Sequence, residues 1–246
     1  MSGADISVQL YSVRDALAAD LPGTLRRIAD LGFGNVELYG FADQVDQYRA
    51  GLADAGLVAP SAHARLVLAD DVDPVLDAAV ELGVRTLIDP MVPEERWTTR
   101  ADIESTATRL NEIAARAADR GLVIGYHNHW WELATSIEGR PALEVLAAAL
   151  DPGLVLEVDT YWAEVGGVDA AELLARLGER VTHLHVKDGP VTRDTKAQLP
   201  AGQGVVPVAE ILAAAPDATR VIEFDDYDGD MFAGLAASLE YVRGLA

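Results

Sequence analysis

The chain has five histidines, and they occupy three short motifs: His63 closes VAPSAH, His127 and His129 lie in GYHNHWWEL, and His183 and His185 lie in HLHVKDG. Each motif ends an apolar run. If these runs are strands, residues two apart share a face, so each pair aims both imidazoles the same way. Carboxylates sit at equivalent points: Glu37 in NVELYG, Asp159 in LVLEVD and Glu223 in RVIEF. Neutral imidazoles and carboxylates converging on one spot would suit a divalent cation of the zinc, manganese or cobalt type. Without a cation, that many acids would repel one another.

The elements that must position these residues follow one grammar. IADLGFGNVELYG, LADAGLVAPSAH, AVELGVRTLIDP and AADRGLVIGYHN each finish an amphipathic run, pass a glycine and enter an apolar stretch. Gly32, Gly56, Gly83 and Gly121 read as left-handed helix caps. Strands are expected at 6–11, 35–40, 58–63, 85–90, 122–127, 154–159, 181–187 and 220–224, separated by helical patterns such as ESTATRLNEIAARAADR. Eight β/α units in 246 residues predict an α/β fold, a single (β/α)8 TIM barrel occupying 1–246 as one domain. A doubly wound sheet is the runner-up, but nothing resembles GxGxxG after the first strand.

The faces of these strands agree with closure. Val123, Gly125, His127 and His129 share one face, as do Val155, Glu157 and Asp159, and Val181, His183, His185 and Lys187. The opposite faces are nearly all apolar, as strands covered by helices require. All five histidines fall at predicted C-terminal strand ends, where barrel enzymes place their chemistry. Weighed singly, His63 reads equally well as a structural residue, and His183 reads as packing behind His185. Trp130 and Trp131 either cap the rim or stack on a sugar ring, and Trp162 is grouped with them.

Composition narrows the partners. The formal charge of −21 and pI near 4.4 argue against binding a phosphate backbone, so no nucleic-acid partner is expected. No apolar stretch approaches the length of a membrane span. There is no cysteine, the start lacks signal-peptide character, and a cytoplasmic protein is expected. Only Lys187 and Lys196 are lysines, and the first lies inside the histidine motif.

VQLYSVRD, GYHNHWWEL, LEVDTYWAEVGGVD, HLHVKDG, GQGVV and VIEFDD resemble, in order and spacing, the sugar phosphate isomerase/epimerase family with the xylose isomerase-like TIM barrel, in its YHNH-containing branch. The resemblance covers essentially the whole chain. It implies one divalent ion (manganese, zinc, cobalt or magnesium) held by Asp159, His185 and Glu223. Where many members carry a glutamate at the end of strand five, this chain has His127, with Glu132 five residues on; His127 is favoured as the fourth ligand because it ends the strand itself.

The implied reaction is isomerisation or epimerisation of a sugar or keto sugar through an enediolate. Glu223 or His129 would serve as base, and Lys187 would hydrogen-bond a substrate oxygen. Glu37, His63, Trp130, Trp131 and Trp162 are expected to face the sugar. Alternatives on the same frame are β-elimination of a 3-keto sugar, a non-catalytic sugar-binding barrel, and an abasic-site endonuclease, which the charge disfavours. Homo-oligomerisation is compatible with all of these.

Overall fold

The computed structural model describes residues 5–245. Among them, parallel strands β1 (Ile6–Gln9), β2 (Asn35–Leu38), β3 (Val58–His63), β4 (Thr86–Asp89), β5 (Val123–His127), β6 (Val155–Asp159), β7 (Val181–Val186) and β8 (Thr219–Ile222) close into a barrel. The register Ser7↔Val221 between β1 and β8 completes the closure. All of the expected strands form, so the closed (β/α)8 reading holds and the doubly wound alternative falls. A two-stranded hairpin, Ser136–Ile137 with Arg140–Pro141, sits outside the barrel.

The helix caps are as read from the sequence. Gly32, Gly56, Gly83 and Gly121 all have positive φ, between +66° and +102°, which a side chain would strain. At Gly56 the amide closes onto the carbonyls of Leu52 and Ala53 before the chain enters β3. The longest helix, Arg100–Ala118, opens with a reciprocal Thr99–Asp102 capping box. It lays Ile103, Ala107, Leu110, Ile113 and Ala117 inward, against the outer face of β5, where Leu122, Ile124 and Tyr126 are buried. Burying each large aliphatic side chain in this layer contributes about 1.5–3 kcal/mol.

Inside the barrel the chemistry inverts. Ser7, Gln9, Glu37, Ser61, His63, His127, Glu157, Asp159, His183 and His185 are all buried, where branched aliphatics would be usual. The registers Glu157↔His183 and Asp159↔His185 between β6 and β7, and His127↔Glu157 between β5 and β6, stack these groups in layers. Gly125 leaves room on that inner face, since a Cβ there would come within 3.0 Å of Ile88 and 3.2 Å of Val155.

Most strands are shorter than the apolar runs suggest, and two of them show why. β1 ends at Gln9, and Leu10–Val13 form a 3-10 turn because the Gln9 side chain accepts a hydrogen bond from the Tyr11 amide at 3.0 Å. β8 ends at Ile222, and beyond Glu223 the Phe224 amide turns to donate to the Ser12 hydroxyl at 2.9 Å. Among the described residues no helix is long and apolar enough to cross a membrane.

Candidate metal centre and cleft

At the C-terminal mouth, donor atoms of His127, Asp159, His185 and Glu223 lie within 4.8 Å of one another, and all four residues are buried. His127 Nε2 is 3.4 Å from Asp159 Oδ2 and 3.2 Å from His185 Nδ1, and His185 Nδ1 is 2.7 Å from Glu223 Oε2. The other nitrogen of His127, Nδ1, donates to the Pro90 carbonyl at 3.2 Å, leaving Nε2 as a lone pair aimed into the cluster. Two imidazole nitrogens and two carboxylates face one point, a donor set that fits a zinc- or manganese-like ion.

Lys187 brings positive charge to the carboxylates of this centre. Its ammonium is 2.8 Å from Asp159, 2.6 Å from Glu223 and 2.8 Å from Asp225. Burial alone would push Asp159 up, but Lys187 and His127 hold it down at about 2. Glu223 likewise stays well below the carboxylate range because Lys187 and His185 outweigh its desolvation. Burial acts to lower His185, yet Glu157 and Glu223 raise it well above the usual imidazole value.

A second cluster lies one layer deeper: Glu37, His63, Glu157 and His185 also bring ligand atoms within 4.8 Å. His63 Nε2 is 2.6 Å from Glu157 Oε2 and 3.1 Å from Glu37 Oε1. Desolvation would lower His63, but Glu37 and Glu157 lift it to about 10. His185 belongs to both clusters, one through each ring nitrogen.

Above the two clusters opens a cleft of about 580 Å³, lined among others by His63, His127, His129, Glu223 and Asp225. Tyr11, Tyr39, Phe41, Arg65 and Met91 also line it. His129 stacks flat on Trp131, 4.3 Å between centroids. Burial first, then the nearby His127 and Lys187, depresses its pKa well below the usual value, so it is neutral at pH 7.

The structure thus brings together His63, His127, His129, Asp159, His185, Lys187 and Glu223. Glu37 lies under the cleft, fully buried, accepting from Gln9 Nε2 at 2.7 Å. Glu132 is turned away from the cluster: its oxygens accept from the Tyr126 hydroxyl at 2.7 Å and the His129 amide at 2.9 Å, and burial raises it to about 8. The tryptophans are behind the cleft lining, with Trp130 under the Arg193 guanidinium at 3.3 Å and Trp162 buried near Lys187. Tyr11 and Tyr39, packed edge to face at 5.0 Å, supply the aromatic wall instead. His183 is held by the Thr182 hydroxyl at 2.8 Å, away from both clusters.

Asp225 was not singled out in the sequence, although it follows Glu223 with the same two-residue period. Gln198 fixes it, donating to its carboxylate at 2.7 Å and accepting its amide at 2.8 Å. Asn128 ties the end of β5 to β6 by accepting the Asp159 amide at 3.1 Å. Asp188, next to Lys187 in sequence, points the other way and accepts from the amides of Gly189, Gly202, Gly204 and Val206 at 2.8–3.0 Å. That explains GQGVV: a Cβ on Gly204 would fall 2.1 Å from the Asp188 carboxylate.

Comparison with known proteins finds relatives of the whole barrel. A 2-epi-5-epi-valiolone 7-phosphate 2-epimerase of Actinoplanes sp. is 30% identical over 227 residues, covering 91% of this chain and 77% of that protein. An inosose dehydratase of Geobacillus kaustophilus is 34% identical over 113 residues, 44% of this chain and 36% of that one. The crystal structure of a sugar phosphate isomerase/epimerase from Parabacteroides distasonis superposes with a TM-score of 0.83 at 23% identity, covering 99% of this chain and 94% of that one. Residues 25–224 match the family description itself, and with the relatives being enzymes, the chain belongs to the xylose isomerase-like TIM barrel family.

Proposed function

We propose that the protein is a divalent-metal-dependent isomerase or epimerase of a sugar or keto sugar, working through an enediolate. The carrying observation is the paired set of His127, Asp159, His185 and Glu223 at the floor of an open cleft. These four residues would hold the ion. When bound, it supplies a Lewis acid beside the oxygens on which negative charge develops.

The protein's own groups do the rest. His129, neutral and on the cleft wall, takes the proton from the carbon next to the carbonyl, and the carbonyl oxygen receives the electron pair. Delivery of a proton to the opposite face of that carbon by a second acid, with His129 passing its own proton to solvent, gives the epimer; return of the proton from His129 to the neighbouring carbon, with a proton shift between the oxygens, gives the isomer. Glu223 is the other candidate for base, but its Oε2 is held by Lys187 and His185 at 2.6 and 2.7 Å. Lys187 keeps Asp159, Glu223 and Asp225 in place, and Tyr11, Tyr39 and His63 face the sugar.

β-Elimination is the second reading, favoured by the dehydratase relative. It begins with the same proton removal and ends with hydroxide leaving the β-carbon as water. Incubation with Mn²⁺ and a panel of keto sugars in D₂O tests both. Deuterium entering the carbon next to the carbonyl, dependent on the ion and lost with chelator, is the expected result. Epimer, isomer or unsaturated product then distinguishes the readings, and no exchange with any member of the panel would sink them.

A further inference from the structure

His185 has two faces, and a chain of hydrogen bonds starting at a backbone amide decides which nitrogen carries its proton. The Tyr11 N–H can only donate, so Gln9 Oε1 accepts it at 3.0 Å. That fixes the Gln9 amide group, whose Nε2 donates to Glu37 Oε1 at 2.7 Å. Glu37 Oε1 is therefore an acceptor, and His185 Nε2, 3.0 Å away, must donate to it. Glu157 Oε2 supports the same proton from 3.1 Å.

We infer that Gln9 and Glu37, backed by Glu157, are positioning residues that hold the proton of His185 on Nε2 and so present its Nδ1 lone pair to the ion. The relay runs from the turn after β1 through β1 and β2 and then across the barrel interior to β7. At its far end Nδ1 meets Glu223 at 2.7 Å and His127 Nε2 at 3.2 Å. His127 is fixed in the complementary sense, with Nδ1–H on Pro90. Without the ion, His185 Nδ1–H donates to Glu223; when the ion displaces that proton, Nε2–H stays on Glu37 and the lone pairs of both rings face one point among carboxylates, an arrangement that suits a cation. Gln9, Glu37 and Glu157 are wholly buried, so the relay acts from beneath the cleft without touching substrate.

This inference rests on the metal-dependent reading, and its test separates the two. Nitrogen-15 NMR of the full chain loaded with Zn²⁺ should show His185 protonated at Nε2 and ligating through Nδ1. Chelator competition should show Gln9→Leu and Glu37→Gln weakening Zn²⁺ binding by about 10- to 100-fold, with melting curves confirming that each variant is folded. A ligating Nε2, or wild-type affinity in both variants, would overturn the relay while leaving the metal centre standing. Two ions per wild-type chain would also overturn it, because Glu37 and Glu157 would then be ligands. A wild-type chain that takes up no ion removes the relay and the proposed function together. The wild-type spectrum decides the question even if a variant does not fold.

Discussion

Lys187 and Asp225 form an ion pair of 2.8 Å inside a site that already holds Asp159 and Glu223 against the same ammonium. One cation thus balances three carboxylates, all drawn from the ends of β6 and β8.

Lys187→Met should therefore be costly in the ion-free protein, about 3–5 kcal/mol at pH 7, because it strands buried charge. Urea denaturation measures this. In the wild type, Asp159 at about 2 is depressed from 3.8, so its stabilisation is complete above pH 3.8 and lost as pH falls toward 2. The variant should lack that acid-side loss and should regain stability as its carboxylates protonate. An unchanged acid limb would refute the pairing.

Asp159 has a second task, since its Oδ1 accepts the Trp162 amide at 2.8 Å and caps the helix Thr160–Val165. Asp159→Asn keeps a capping oxygen and should lose the ion together with the stabilisation that pairing with Lys187 gives. Asp159→Ala should lose the ion and about 1 kcal/mol besides. Ion content by elemental analysis and melting by calorimetry separate the two roles; a full equivalent of ion in either variant would remove Asp159 from the ligand set.

Glu132 gives a pH signature of the opposite sign. Its folded pKa of about 8 stands above the ordinary 4.5, so the folded state favours the protonated form and stability falls as pH rises from 4.5 through 8. Glu132→Gln should remove that slope, gaining on the order of 1–3 kcal/mol relative to wild type by pH 8. Parallel denaturation curves at pH 6 and 8.5 would show it, and an identical slope in the variant would place the charge elsewhere.

Ion uptake should release a proton. His185 is raised well above 6.5 by Glu157 and Glu223 despite burial, so near pH 7 it carries a proton that the ion displaces. Calorimetric titration in buffers of different ionisation enthalpy should read about one proton per ion. Affinity should fall as pH is lowered from 7 to 5. Zero release would mean that His185 is not a ligand.

The sequence was informative where periodicity reaches and silent where it stops. Helix-glycine-strand repeats placed β2 to β5 and apolar runs the other strands, and the two-residue period put His127, Asp159 and His185 on one inner face. Glu37 fell on the inner face as well, yet only register and hydrogen bonding place it beneath the cleft. Past the strand ends no period constrains direction: Asp188 turns into a loop, Asp225 turns toward Lys187, and Glu132 turns to Tyr126. Aromatic character alone pointed to Trp130 and Trp131, whereas the cleft wall belongs to Tyr11 and Tyr39, which lie just after β1 and β2.

The Asp188 carboxylate gathers amides from both ends of the 189–206 segment, four in all. The intervening residues 190–197 therefore hang from a fixed clasp beside the mouth, while Lys187 and the donor cluster stand on the barrel behind it. With its base tied to Asp188 in this way, the loop is anchored to the same strand end that carries His185 and Lys187.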